Sequence, residues 1–408
     1  MTKRRGAAGC CWECQPSHMM TDDNYNNNGN PVMTPPHLLA VALAAALALP
    51  AQAATYAYIS SPNDGLISQY QLDDSTGAPK LVEQTTAGSK VNPMAISPDG
   101  KVLYAALRVA PFSLVSYRID PKSGHLEKLG QAPLADSLAY ISTDRSGHFL
   151  MGASYGASLL SVQAIDAEHR VSDKIDVYKT GPIAHSIRSD LSDKFVYAAN
   201  LGTDSVLQFS QNKQTGALTP IGSGAAATPT KMGPRHLAFS PNGQFLYVVG
   251  ELSGSVVGYA IDATSGALRQ VSEAQSVPAS LKLAEGLIRN AANNDLKDDP
   301  TPRIWAADIR LSPDGTLLYT TERTSSSVSA FKVDPASGAL TAIGNFPVAE
   351  KQPRNIAFFP SGKWLLVSGE KSAVIGSYAV AKDGSLKRVG EAPSGDGALW
   401  IEMWQSPQ

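Results

Sequence analysis

Cysteine is almost missing from this chain of 408 residues: Cys10, Cys11 and Cys14 lie in the first 14 positions and none follows. That excludes a disulfide framework and a thiol nucleophile from the rest of the chain. The CxxC pair also lacks a second CxxC or Cys/His pair with which to complete a zinc site. Charge is scarce, at 17 % of residues, and it is balanced, with 34 Lys and Arg against 36 Asp and Glu for a net of −2. No field of one sign can gather a polyanion or hold the chain on an anionic membrane, so nucleic acid is not an expected partner. The longest apolar run, Leu38–Leu49, has 12 residues, short of the roughly 20 that span a bilayer. HExxH and P-loop patterns are absent. No metal and no cofactor is expected.

That one apolar run ends in Ala51-Gln52-Ala53, the small-x-small pattern of a secretory signal peptide cleaved after Ala53. Residues 33–53 are therefore read as an export signal and the mature chain as periplasmic, without membrane attachment, a cytoplasmic location being the alternative. No cysteine follows the run to carry a lipid anchor. Residues 1–32, polar and Asn-rich in "TDDNYNNNGNP", cannot build a core. They are expected to be a disordered extension ahead of a true start at Met33.

What the chain has in quantity is turn residues, 34 Gly and 27 Pro, set in a repeat. An apolar strand, a turn resembling Ser-Pro-Asp-Gly and a second apolar strand ending near Tyr recur as "AISPDGKVLYAAL", "ISTDRSGHFLMGASY", "IRSDLSDKFVYAAN", "LAFSPNGQFLYVVGE", "IRLSPDGTLLYTTER" and "IAFFPSGKWLLVSGE". The turn position falls at Gly100, Gly147, Asp193, Gly243, Gly315 and Gly362, in steps of 47, 46, 50, 72 and 47 residues. Third and fourth strands follow each copy, joined by a turn such as "SGAL". Four antiparallel strands in about 50 residues form one blade of a β-propeller.

The sequence thus predicts an all-β fold over 54–408, a seven-bladed propeller. The seventh blade combines the C-terminal "GALWIEMW" with the N-terminal "TYAYISSPNDGLISQYQLD", so that no edge is left open. The long step holds an insertion at 281–303, expected as a loop with one short helix over Leu281–Asn290.

A hairpin brings together residues equidistant from its turn. Eight positions before the turn stand Asn92, Ala139, His185, Arg235, Ala307 and Arg354; eight after it stand Arg108, Tyr155, Leu201, Glu251, Arg323 and Glu370. All should surround one mouth of the central channel, with His236 and Asp308 adjoining. Ionisable groups crowded into one cleft of a weakly charged protein mark a candidate active site.

At these residues the sequence resembles the seven-bladed propeller lactonases, a family that includes 6-phosphogluconolactonases and relatives of fungal muconate-lactonizing enzymes. The phrases "AYISTDRSGHF", "GPRHLAFSPNG", "GELSGSV", "WAADIRLSPDG" and "TERTSS" carry the resemblance across Ala54–Trp404. It implies a sugar-lactone hydrolase acting on gluconolactone or its 6-phosphate as a monomer. By that resemblance Glu251 or His185 would activate water and Arg235 and Arg323 would clamp the substrate, with Arg354, His236 and Asp308 of the counted ring as further substrate-binding residues. A muconate-type cycloisomerase and a non-catalytic binding platform are the other functions this fold could host.

Overall fold

The structure, a computed structural model, describes residues 53–289 and 299–407. Its strands group into seven antiparallel sheets of four. The innermost strand of each sheet is the first half of a repeated hairpin: Val91–Ile96, Leu138–Thr143, Ala184–Ser189, Pro234–Phe239, Ala306–Leu311 and Pro353–Phe358. The seventh, Trp400–Gln405, comes from the C-terminal end and pairs with Thr55–Ser61, Tyr56 lying opposite Trp404. Each innermost strand packs against the next around a closed ring. The seven-bladed propeller and its mixed closing blade are therefore both observed. The extension and export signal expected over residues 1–53 fall outside the described residues, apart from Ala53.

The repeated turn owes its glycine to backbone conformation. Gly243 has φ +71° and Asp193, its counterpart in the preceding blade, has φ +53°; both lie in the left-handed region. Asp193 uses the non-glycine side chain at that position, since its two carboxylate oxygens accept the Arg145 and Ser146 backbone N–H groups of the preceding blade, each at 2.8 Å.

The tyrosine that recurs in the second strand staples one blade to the next. The Tyr197 hydroxyl donates to the Gly266 carbonyl at 2.7 Å, and Tyr58, Tyr247 and Tyr319 donate likewise to Gly124, Gly338 and Gly384. All four rings are fully buried. Their apolar faces fill the gap between sheets while the hydroxyl satisfies a turn carbonyl.

The insertion departs from expectation. Its described part holds one short 3₁₀ turn, Ala279–Leu281, and residues 282–289 are not helical; Asn290 lies outside the described residues. Its backbone pairs without a helix: Gly286 N–H donates to Leu252 O of the body at 2.8 Å, and Ala284 bridges in parallel to Arg303 at the insertion's other end.

Tyr197→Phe should cost about 1–2 kcal/mol by stranding the Gly266 carbonyl. Urea unfolding would show this as a lower midpoint with an unchanged slope.

Candidate functional site

Each of the six repeated hairpins breaks register at one place, near the end of the channel away from its turn. The breaks fall between Val91 and Met94, Leu138 and Tyr140, Ala184 and Ser186, Pro234 and His236, Ala306 and Ile309, and Pro353 and Asn355. Asn92, Ala139, His185, Arg235, Ala307 and Arg354 are thus bulged residues. A bulge leaves a residue unpaired and re-aims its side chain. The positions obtained by counting eight back from the turn are where the fold bends six strands toward one mouth.

Among them a buried charge cluster forms. His185, Arg235, His236, Glu251, Asp308 and Arg323 are each between 1 and 4 % exposed. Glu251 lies at its centre: Oε2 accepts from Arg235 Nε at 2.7 Å and from Arg323 Nη2 at 2.9 Å, and Oε1 accepts from the Trp305 indole at 3.3 Å. Burial by itself would raise the Glu251 pKa, but Arg323 and Arg235 outweigh it and hold the carboxyl below its usual value. Arg323 is further fixed by Trp305, whose ring centroid lies 3.7 Å from its guanidinium carbon, with Arg289 of the insertion 3.9 Å from the same ring.

The cluster continues downward. Burial and the Arg235 charge depress His236 to about 3, so the imidazole is neutral. Its partners then assign the tautomer: Nδ1–H donates to Asp308 Oδ1 at 2.7 Å, and Nε2 accepts from Arg235 Nη1 at 3.0 Å. Asp308 Oδ2 accepts from Asn355 Nδ2 at 2.7 Å and from the Ile356 N–H at 3.1 Å. Burial would raise Asp308, but Arg310 and His236 keep it at about 2. Both ring nitrogens of His236 and both oxygens of Asp308 are spent within the protein, so these two residues position Arg235 from beneath.

His185 differs. Burial, then the charges of Arg235, His236, Arg354 and Arg323, lower it well below the ordinary 6.5. It packs edge-on against Tyr155 and His236, at 5.8 and 5.3 Å between centroids, and its buried Nδ1 has no hydrogen-bond partner. This is the neutral, unengaged base of the cluster.

The open space lies to one side of these charges. A cavity of about 410 Å³ is lined by Lys90, Asn92, Arg108, Ser137, Arg354 and Glu370, among others. Of the residues proposed from sequence, only Arg354 lines it. Arg354 Nη1 pairs with Glu370 at 3.2 Å, and Arg108 Nε donates to Ser137 Oγ at 2.9 Å. Asn92 is buried with its Oδ1 unpartnered. Arg108 and Asn92 belonged to the ring derived by counting but carried no assigned role; Trp305 and Asn355 lay outside it altogether. Trp305 could have been suspected from the rarity of Trp, of which the chain has five.

A Gly-x-Ser-x-Gly string does occur, at Gly152–Gly156, but Ser154 ends a strand and does not open a helix. Its buried hydroxyl accepts from Ala157 N–H at 3.0 Å and donates to Asp136, which makes it a turn residue. Among the described residues no group of three His, Cys, Asp or Glu is arranged to hold a metal ion.

The family model described as "Lactonase, 7-bladed beta-propeller" matches residues 55–403. A 6-phosphogluconolactonase of Serratia proteamaculans is 34 % identical over 347 residues, covering 85 % of this chain and 98 % of that protein. One from Erwinia tasmaniensis is 34 % identical over 345 residues, covering 84 % and 97 %. Among solved structures, a periplasmic gluconolactonase of Pseudomonas aeruginosa superposes with a TM-score of 0.75 at 25 % identity, over 87 % of this chain and all of that one.

Glu251→Gln should destabilise the fold by about 3–5 kcal/mol, because it leaves two buried guanidinium groups uncompensated. Arg354→Ala breaks a pair whose side chains are 22 and 28 % exposed and should cost about 1 kcal/mol or less. Chemical denaturation of both variants checks the contrast.

Proposed function

Because the chain belongs to the seven-bladed β-propeller lactonase family, we propose that it hydrolyses a sugar lactone, gluconolactone or its 6-phosphate, to the open acid. The observation that carries the assignment of roles is His185: a neutral imidazole with an unengaged nitrogen, set among arginines of which one, Arg354, also lines the polar cavity. A water molecule attacks the lactone carbonyl carbon while its proton passes to the imidazole. The carbonyl oxygen becomes an oxyanion, and the positive field of Arg235, Arg323 and Arg354 favours that charge over the neutral ground state. Collapse breaks the ring C–O bond, and the departing alkoxide recovers a proton from the imidazolium. The base is thereby regenerated and an aldonic acid released.

Glu251 is ill suited to be the base. Its carboxylate is already shared by two guanidinium groups and an indole, so its oxygens are engaged within the protein and not free to take a proton from water. Its role is to hold Arg235 and Arg323 in place. Arg108, Arg354 and Asn92 line the space for the sugar's hydroxyls and any anionic tail.

We place the mature protein in the periplasm. The apolar run and Ala51-Gln52-Ala53 support export, and the solved relative from Pseudomonas aeruginosa is described as periplasmic. An exported enzyme favours the unphosphorylated lactone. N-terminal sequencing of the protein recovered from periplasmic extract should begin at Ala54; an intact Met33 in the cytosol contradicts export.

His185→Ala should lower kcat on glucono-δ-lactone by about 10²–10⁴-fold, the usual contribution of a general base. Since the group must be neutral to act and its pKa is depressed, kcat/KM of the wild type should stay flat as pH falls through 6.5, after correction for spontaneous opening. An acid limb centred at 6.5 would mean an ordinary, solvated histidine.

A further inference from the structure

The channel has a second mouth, at the end where the hairpin turns lie. A cavity of about 170 Å³ opens there, lined among others by Tyr140, Arg145, Arg188, Ser189, Arg310 and Glu402. None of these lines the larger cavity at the other mouth. Three arginines from three blades thus converge in a space less than half the size of the other.

Their partners differ. Arg310 is committed, with Nε donating to Ile356 O at 3.0 Å and pairing with Asp308 at 3.3 Å. Arg188 makes one hydrogen bond, Nη1 to Leu237 O at 3.3 Å, and its guanidinium carbon lies 5.9 Å from the Phe239 ring centroid. The Arg145 side chain has no hydrogen bond or ion pair among the described residues. Neither Arg145 nor Arg188 has a carboxylate within 4.0 Å among those residues; burial and the Arg188 charge lower the Arg145 pKa, with Asp193 and Asp190 opposing from farther away.

The carboxylates that line the cavity do not answer them. Asp144 is consumed by its own turn, Oδ1 accepting from Phe149 N–H at 2.9 Å and Oδ2 from Ser146 Oγ. Glu402 Oε1 accepts from the Trp400 indole at 2.8 Å, and burial raises its pKa toward the protonated form. Ser189, 4 % exposed, lines the same space with a hydroxyl that has no partner. Two guanidinium groups without a bonded carboxylate, Arg145 at the exposed rim and Arg188 half-buried, stand beside a buried hydroxyl that no protein group satisfies, so the donors of this mouth are left for a ligand to answer.

We infer that the turn-side mouth is a binding site for a small oxyanion, phosphate or carboxylate, with Arg145 and Arg188 as its charged donors and the Ser189 hydroxyl as the neutral one. Forked donors suit the two or three coplanar acceptor oxygens of such an ion. The site stands apart from the lactonase reading and holds or falls independently of it.

Calorimetric titration of the mature chain with inorganic phosphate, and separately with acetate, tests the site. Saturable binding of either ion is expected, weakened about tenfold or more in Arg188→Ala and in Arg145→Ala and kept within about twofold in Arg108→Ala, which alters the opposite mouth. The tighter of the two ions identifies whether a phosphate or a carboxylate is preferred. Circular dichroism monitors folding; Arg145→Ala removes a side chain with no partner, so it remains informative should Arg188→Ala unfold. Binding lost in Arg108→Ala but kept in Arg188→Ala would place the ion at the other mouth and overturn the inference. No saturable binding of either ion to the wild type would also overturn it.

Discussion

One carboxylate organises the candidate site. Glu251 stands immediately after its strand, buried, and takes a hydrogen bond from each of two arginines that arrive from different blades. Without that negative charge, two guanidinium groups could not share a water-poor interior. With it, they become a fixed positive surface, which adds to burial in keeping the neighbouring His185 neutral. Asp308 does the same one level lower, fixing the tautomer of His236, which in turn accepts from Arg235. The catalytic proposal therefore rests on an electrostatic frame assembled before any substrate arrives, which is the arrangement that stabilises developing charge most effectively.

The propeller explains how such a frame can be built by a chain with little charge. A bulge recurs at the same place in six hairpins, so each blade offers one side chain to the mouth, and the blades differ only in what they offer. Two neighbouring blades supply the buried ions and a third supplies the neutral His185. Others supply Asn92, Arg108, Arg354 and Glu370 around open space. The reacting group and the remainder of a substrate would thus meet different sectors of one ring.

The fold was legible because turns, spacing and strand pattern agreed at every repeat, and even Asp193 in place of glycine kept the left-handed turn. The seventh blade was legible because a missing first strand at one end matched a spare one at the other. The helix expected over Leu281–Asn290 was not found, since composition alone cannot show that its backbone bonds to the body. Counting from the turn located the mouth but misjudged depth. His236 and Asp308 look like rim residues in sequence, whereas their hydrogen-bonding capacity is spent beneath it. Likewise, nothing in "GELSGS" reveals that Glu251 is clamped from both sides and so unfit as a base; only the distances to Arg235 and Arg323 do.

The most direct test of this account is a double-mutant cycle on folding stability between Glu251→Gln and Arg323→Gln. If the pair forms the frame described, the loss in the double variant should fall short of the sum of the single losses by about 2–3 kcal/mol, because removing either partner alone strands the other. Additivity within about 0.5 kcal/mol would show that the two residues do not depend on each other, and the electrostatic frame would have to be abandoned.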